Sequence, residues 1–244
     1  MKLPWTGLEA WLFDLDGVLT PTAAIHRQAW ADVIGAFFTR RGVTRPYSED
    51  DYFRYIDGKP RFEGVASVLA SRDLDLPSGS PQDAPGEGTV GALGNLKNAE
   101  FERLLALGRL EPYPGTADLL EVLTTAGKGL AVVSSSNNAV AVLRVAGLLD
   151  WFELVVDGWL AAAEGLAGKP SPETYLYAAR RLGTEPSQAV VIEDAISGVE
   201  AGRAGGFGLV VGVDRGVGRE ALRRAGAGLV VNGLPELLRQ GETG

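Results

Sequence analysis

The stretch AWLFDLDGVLT at residues 10–20 places two aspartates directly behind an apolar run. Asp14 and Asp16 are two positions apart, and alternate residues of a strand point to the same side, so both carboxylates start on one face. Like charges this close are unfavourable unless a cation offsets them. The stretch therefore raises the question of a metal site at the end of a buried strand, which the rest of the chain has to answer.

The composition is that of an ordinary globular protein. The chain has 244 residues, of which 45% are hydrophobic and 22% charged, enough for one large domain or a core with a smaller insert. A net charge of -8 without a long Lys/Arg run argues against nucleic acid or an anionic membrane as partner. The lack of cysteine excludes disulfides, cysteine nucleophiles and zinc–thiolate sites, and fits the cytoplasm as the expected location.

No apolar run is long enough for a membrane-spanning helix. The N-terminal stretch MKLPWTGLEAWLF is interrupted by Pro4, Gly7 and Glu9, so we expect no secretory signal. These features favour a monomeric cytoplasmic protein that acts on a small molecule.

From residue 108 onward, short β-branched runs alternate with helical patterns of about ten residues, which is typical of a buried parallel sheet in an α/β fold. The predicted strands are 129–136, 152–158, 189–194, 208–213 and 228–231. The predicted helices are 116–126, 138–147, 172–182, 195–205 and 217–225. Gly127 and Gly183 suit helix C-termini, and Pro172 suits a first helical turn.

Residues 23–107 show a different, helical pattern. The stretch AAIHRQAWADVIGAFFTRRG predicts a long amphipathic helix, and RFEGVASVLASRD and LGNLKNAEFERLLALG predict two more. Between the last two lies a Pro-, Gly- and Ser-rich loop at 76–91. The pattern predicts an α/β core made of 1–22 and 108–244, with residues 23–107 inserted after the first strand.

Polar residues follow three of the predicted strands, where open α/β sheets bind their ligands. They are Asp14, Ser134 and the pair Glu193–Asp194. Together with Asp16, these carboxylates suit a hard divalent cation such as Mg²⁺. One carboxylate in such a site can attack phosphorus and a second can act as general acid and base. Lys169 and Ser134 can supply the charge and donors that a phosphoryl group needs.

Four stretches resemble, in order, the motifs of the haloacid dehalogenase superfamily of phosphotransferases, over nearly the whole chain. They are DLDGVLT, VVSSSN, GKPSPETY and VIEDAISGVEAGRAGG. The resemblance implies a Rossmann-like core in which Asp14 is the nucleophile and Asp16 the general acid/base. It implies that the transferring phosphate is held by Ser134, Ser135 and Lys169. It also implies a Mg²⁺ site formed by Asp14, the carbonyl of Asp16, Asp194 and, as an assisting group, Glu193.

The insert resembles the small helical cap of the β-phosphoglucomutase-like branch. On that resemblance the substrate is bound by His26, Arg61, Lys97, Asn98, Ser136 and Asn138. The activity implied is Mg²⁺-dependent phosphoryl transfer on a sugar phosphate, from β-glucose 1-phosphate to glucose 6-phosphate. The chain departs from that branch at Pro21 and Asn137 and in the longer segment 76–91.

Other interpretations of the same residues stay open. The residues of the four motifs would equally serve a phosphomonoester hydrolase, if the closed cap admits water as the acceptor of the phosphoryl group. A non-catalytic binding module is a third alternative. Taken singly, each motif also has a structural explanation. Asp14–Asp16 could form a strand-ending turn, and Ser134–Ser136 and Glu193–Asp194 could cap helices. His26 could be a packed side chain, and the charges of Arg61, Lys97 and Lys169 could be solvated.

Overall fold

The computed structural model describes residues 7–56, 59–108 and 110–239 of the chain. The chain divides into two compact units, one made of Met1–Pro21 with Leu110–Gly244 and the other of Thr22–Arg109. Each predicted domain boundary lies within two residues of this division. The function of residues 23–107 as a cap stays a prediction.

The first unit is built on a sheet of six parallel strands. These are β1 (Ala10–Phe13), β2 (Gly129–Val133), β3 (Leu154–Val156), β4 (Ala189–Glu193), β5 (Leu209–Val213) and β6 (Leu229–Val231). They pair in the order β3-β2-β1-β4-β5-β6, so β1 lies between β2 and β4. Because every pair is parallel, all six carboxyl ends lie at one edge. The predicted α/β parallel-sheet core is confirmed.

The central strand β1 is buried on both faces of the sheet. All four of its residues are fully buried. Ala10 and Leu12 belong to one hydrophobic cluster, which also contains residues of β2 and β4. Burying a charge within a strand that is covered on both faces is strongly unfavourable, so the first aspartate comes where the strand ends.

Helices connect and cover these strands. In the described part of the first unit they are α5 (Thr116–Thr125), α6 (Ala139–Val145), α7 (Gly158–Ala163), α8 (Glu173–Arg181), α9 (Ile196–Ala204), α10 (Arg219–Ala225) and α11 (Pro235–Arg239). Gly127 and Gly183 follow the C-terminal ends of α5 and α8 with φ of 70° and 67°, which confirms the predicted helix ends.

The second unit is helical throughout its regular elements. It contains α1 (Ala23–Arg40), α2 (Glu49–Asp51), a π-helical turn at Tyr52–Ile56, α3 (Arg61–Ala70) and α4 (Val90–Leu107). α1 and α4 pack against each other, and the apolar stripe of α1 forms the core of the unit with residues of α3 and α4. The loop before α4 is irregular, as predicted, and is held by the Asp83 carboxylate, which accepts from the Ser80 N–H and the Thr89 hydroxyl.

Among the described residues, three of the α-helices were not predicted from sequence: α2, α7 and α11. They have three, six and five residues, too few for a helical period to show. No helix among the described residues is long and apolar enough to cross a membrane. The start of the N-terminal stretch and the Asp57–Gly58 pair of the DGKPR motif lie outside the described residues.

Candidate active site

The chain turns sharply after β1. The Asp14 N–H continues the sheet by donating to Ile192 O over 2.9 Å. The carbonyl of Leu15 then accepts from Leu19 and Thr20, and the Gly17 N–H donates to Thr20 O over 2.9 Å. The strand alternation that we expected to place both aspartates on one face therefore ends before Asp16.

Lys169 binds the first aspartate directly. Its Nζ donates to Asp14 Oδ1 over 2.5 Å and to the carbonyl of Val133 over 3.0 Å. Burial raises the pKa of Asp14 well above its usual value, and the charge of Lys169 opposes that rise. Burial alone would lower the pKa of Lys169, but Asp14 and Glu193 raise it well above that of a free lysine, so the ammonium stays charged.

Glu193 ends β4 with a fully partnered carboxylate. Its Oε1 accepts from Lys169 Nζ over 2.6 Å and from the Tyr175 hydroxyl over 3.1 Å. Its Oε2 accepts from the Ala195 N–H over 3.0 Å. A Cβ on Gly198 of α9 would lie 1.8 Å from Glu193 Oε1, so only glycine leaves room for this carboxylate. Glu193 thus fixes the position of Lys169.

Asp194 lies against the turn after β1. A Cβ on Gly17 would lie 1.9 Å from Asp194 Oδ2, and Gly17 has a φ of 86°. Both the close approach and the backbone conformation require glycine at this position. Burial, and then the neighbouring Glu193, raise the pKa of Asp194 to about 7.

Three of the four predicted metal-binding side chains come together. Carboxylate oxygens of Asp14, Glu193 and Asp194 all lie within 4.8 Å of one another, and the carboxylate of Asp16 is outside this set. Asp16 is nevertheless close enough for its charge to raise the pKa of both Asp14 and Asp194. Crowded, partly buried oxygen donors of one sign are the donor set that Mg²⁺ takes, so the residues fit this ion.

In the segment after β2, serine hydroxyls accept hydrogen bonds from backbone N–H groups two residues further along the chain. Ser134 Oγ accepts from the Ser136 N–H, and Ser136 Oγ from the Asn138 N–H, both over 3.1 Å. Ser134 is buried and Ser135 exposed. Asn138 is also buried and directly precedes α6. Within the described part of the chain, no side-chain hydrogen bond caps the start of α6 at Asn138, so the structure does not support the helix-cap explanation of Ser134–Ser136. Phosphate binding by Ser134 and Ser135 stays a prediction.

In the helical unit, His26 and Lys97 are direct partners. Lys97 Nζ lies 2.8 Å from His26 Nδ1, and the imidazole stacks on Phe101 with ring centroids 4.0 Å apart. Lys97 also lies 5.3 Å from the ring of Trp30. Burial lowers the pKa of His26 well below its usual value, and the charges of Lys97 and Arg61 lower it further. His26 is therefore both a packed histidine and the acceptor for a buried lysine.

Arg61 is the first residue of α3, and its side chain is bound by Asn95 of α4. Its Nη1 donates to Asn95 Oδ1 over 3.2 Å, while Asn95 Nδ2 donates to the carbonyls of Pro81 and Asp83 over 2.9 and 2.8 Å. One amide thus links Arg61 to the Pro- and Gly-rich loop. Asn98, next to Lys97, donates to Glu102 over 2.7 Å.

Sequence reasoning missed the groups that hold the predicted residues in place. These are Tyr175, Gly17, Gly198, Asn95 and Arg215, whose Nε donates to the carbonyl of Gly17. Tyr175 and the two glycines lie inside the quoted motifs, and the glycine of DLDG was a signal for a close approach. No local pattern marks Asn95 or Arg215, because their partners are distant in the chain.

Comparisons with known proteins identify the family. The model of the haloacid dehalogenase-like hydrolase family matches residues 8–206. A protein of Mycobacterium tuberculosis named beta-phosphoglucomutase is 46% identical over 241 residues, which are 95% of this chain and 92% of that one.

Two further relatives differ in what their names say. The fructose-1-phosphate phosphatase YqaB of Escherichia coli is 30% identical over 82% of this chain and 93% of its own. The crystal structure of a CbbY mutant from Rhodobacter sphaeroides, in complex with xylulose-1,5-bisphosphate, has a TM-score of 0.74 at 26% identity, over 94% of this chain and 96% of that one. With its parallel sheet, its acidic cluster at the carboxyl edge and these matches, the chain belongs to the haloacid dehalogenase-like hydrolase family of enzymes.

Proposed function

We propose that the protein is a Mg²⁺-dependent phosphotransferase that acts on a sugar phosphate, and that it converts β-glucose 1-phosphate to glucose 6-phosphate. The 46% identity to a protein named beta-phosphoglucomutase, over nearly the full length of both chains, carries the proposal. The site supports it, because Asp14 is buried at the end of the central strand and in contact with a charged lysine.

In the first step, a carboxylate oxygen of Asp14 attacks the phosphorus of the substrate. The P–O bond to the sugar breaks, and Asp16 gives its proton to the leaving oxygen. In the second step, the 6-hydroxyl of β-glucose 1-phosphate attacks the aspartyl-phosphate and gives its proton to Asp16, which forms the 1,6-bisphosphate with one non-transferring phosphate. Lys169 offsets negative charge on the transferring group, and Ser134 and Ser135 donate hydrogen bonds to its oxygens.

Asp14, Asp194 and the carbonyl of Asp16 would hold Mg²⁺, with Glu193 assisting. When bound, the ion would neutralise charge on the phosphoryl oxygens and orient them. The clustering of the Asp14, Glu193 and Asp194 carboxylate oxygens within 4.8 Å of one another supports this assignment.

The helical unit would supply binding of the rest of the substrate. Arg61 has the planar fork that binds a second, non-transferring phosphate in bidentate fashion. We assign further contacts with the sugar phosphate to His26, Lys97, Asn98, Ser136 and Asn138. A cytoplasmic location and a monomeric state stay predictions from the sequence.

The second candidate is a sugar-phosphate phosphatase, which the 30% identity to a fructose-1-phosphate phosphatase favours. The same residues would act, with water in place of the second sugar hydroxyl. The two functions differ in whether the aspartyl-phosphate is protected from water for long enough to meet that hydroxyl.

Phosphorus NMR of the purified protein with Mg²⁺, β-glucose 1-phosphate and a trace of the 1,6-bisphosphate distinguishes the two. Formation of glucose 6-phosphate with little inorganic phosphate supports the mutase. Inorganic phosphate as the main product supports the phosphatase. No change in either signal overturns β-glucose 1-phosphate as the substrate.

A further inference from the structure

Arg215 contacts the active-site turn from the loop after β5. It follows β5, and its Nε donates to the carbonyl of Gly17 over 2.7 Å. Its Nη1 donates to the carbonyl of Asn232 over 3.2 Å, and its guanidinium carbon lies 3.7 Å from the centroid of the Tyr113 ring. One side chain thus joins the turn, the end of β6 and an aromatic face.

The backbone of Tyr113 binds the other end of the same turn. The Tyr113 N–H donates to Leu19 O over 2.9 Å. Arg215 and Tyr113 therefore stack on each other while each fixes one carbonyl of the turn. We call this pair the turn brace. It restrains the backbone on both sides of Val18, in a segment that begins at Gly17, directly after Asp16, and ends at Leu19.

The restraint matters because of what lies against Gly17. A Cβ on Gly17 would lie 1.9 Å from Asp194 Oδ2, so a shift of the turn toward this carboxylate would displace it. Gly17 also follows Asp16 directly, so rotation of the Gly17 backbone would change where the carboxylate of Asp16 points. A small displacement at a reacting group is enough to slow catalysis severely.

We propose that Arg215 is a positioning residue, which holds the turn so that Asp16 and Asp194 stay in their working positions. The inference rests on the proposed use of Asp16 as general acid/base and of Asp194 as a metal ligand. Arginine suits this task because its rigid fork donates in two directions while its plane stacks on an aromatic ring, which the single ammonium of lysine cannot reproduce.

A purely stabilising role is the competing explanation, and Arg219 of α10 provides the matched control. Its Nη1 donates to Asn232 Oδ1 over 3.2 Å, and its Nη2 contacts the carbonyl of Val230. Arg219 thus binds the same end of β6 as Arg215. It differs in that, among the described residues, neither of these hydrogen bonds reaches the turn after β1.

The experiment compares Arg215→Met, Arg215→Lys and Arg219→Met with the unaltered full chain. Mg²⁺ binding is measured calorimetrically without substrate, kcat and KM with p-nitrophenyl phosphate, and melting temperature by circular dichroism. We expect Arg215→Met to weaken Mg²⁺ binding and lower kcat by about tenfold each, the usual cost of losing a group that orients a metal site, with KM changed less than about twofold. Arg215→Lys should recover part of both losses, and Arg219→Met neither.

Equal effects of Arg215→Met and Arg219→Met on Mg²⁺ binding and kcat, alongside similar drops in melting temperature, would overturn the inference. If Arg215→Met fails to fold, Arg215→Lys decides it: values of Mg²⁺ affinity and kcat equal to those of the unaltered chain would also overturn it. Failure of the unaltered protein to convert β-glucose 1-phosphate would count against the proposed substrate only, since neither readout uses that sugar.

Discussion

The ammonium nitrogen of Lys169 lies 2.5 Å from Oδ1 of Asp14, with both side chains almost fully buried. An ion pair in that setting persists only where the protein supplies further partners, and here Glu193 and the Val133 carbonyl do so. The lysine is therefore held in place before any substrate arrives. A phosphoryl group bound at Asp14 would meet a positive charge that needs no rearrangement.

Replacement of Asp14 by asparagine tests its role as nucleophile. We expect Asp14→Asn to fold and to lose turnover of p-nitrophenyl phosphate, because an amide oxygen cannot form the acyl-phosphate. Asp150→Asn, at an exposed position, is the control and should keep full activity. Residual activity of Asp14→Asn above a few per cent would remove Asp14 from this role.

Gly17→Ala separates backbone strain from displacement of Asp194. A Cβ at Gly17 would lie 1.9 Å from Asp194 Oδ2, whereas a Cβ at Gly7, which has nearly the same φ, would meet nothing within 4 Å. Both substitutions should cost about 1 kcal/mol in unfolding free energy, because an L-residue is disfavoured at positive φ. Only Gly17→Ala should also weaken Mg²⁺ binding, by about tenfold or more, measured by calorimetry. Equal Mg²⁺ affinities would show that Asp194 adapts to the added carbon.

Asn95 is expected to control binding of the sugar phosphate through Arg61. Asn95→Leu removes the acceptor for Arg61 and both donors to the loop. We expect KM for β-glucose 1-phosphate to rise about tenfold, in line with the loss of one hydrogen bond to a charged group. KM for p-nitrophenyl phosphate, which has no second anchoring group, should stay within about twofold.

The control for that experiment is Gln82→Ala, which removes an exposed side chain of the same loop that accepts a hydrogen bond from the Ser80 hydroxyl. It should leave both KM values unchanged. If Gln82→Ala matches Asn95→Leu, then loop order in general, and not the Asn95–Arg61 contact, sets the affinity. An unchanged KM in Asn95→Leu would detach Arg61 from substrate binding.

The sheet and its helices follow from local signals in the sequence. Buried β-branched runs, the glycines that end α5 and α8 and the polar residue after each strand act within a few residues of one another. The contact of Lys169 with Asp14 joins residues 155 positions apart, so only the ordered motifs indicated it. The contact of Arg215 with Gly17 spans 198 positions and has no motif at the arginine.

The position of Asp16 shows where strand periodicity misleads. Two hydrogen bonds to the Leu15 carbonyl end the extended backbone immediately after Asp14, and a period of two says nothing about a turn. The pairing of His26 with Lys97 likewise depends on the packing of α1 against α4. Sequence spacing placed each residue on a helix, but not the angle at which the two helices meet.

The charge state of His26 is the most direct test of the helical unit, because this is the only histidine of the chain. Lys97 Nζ lies 2.8 Å from Nδ1, and an ammonium can only donate, so Nδ1 must be the acceptor and Nε2 must carry the proton. Nitrogen-detected NMR of labelled protein should show one neutral imidazole with that tautomer from pH 8 down to pH 5.5, since burial lowers the pKa of His26 well below 6.5.

The same shift sets the direction of a stability effect. Below pH 6.5 the unfolded chain takes up a proton at His26 that the folded chain does not, so the unfolding free energy falls as the pH falls. Compared with His26→Gln, which does not titrate, the protein should lose about 1.4 kcal/mol for each pH unit between 6.5 and the folded pKa, and nothing above 6.5. An imidazole that titrates near 6.5, or a stability difference independent of pH, would show that Lys97 does not hold His26 neutral.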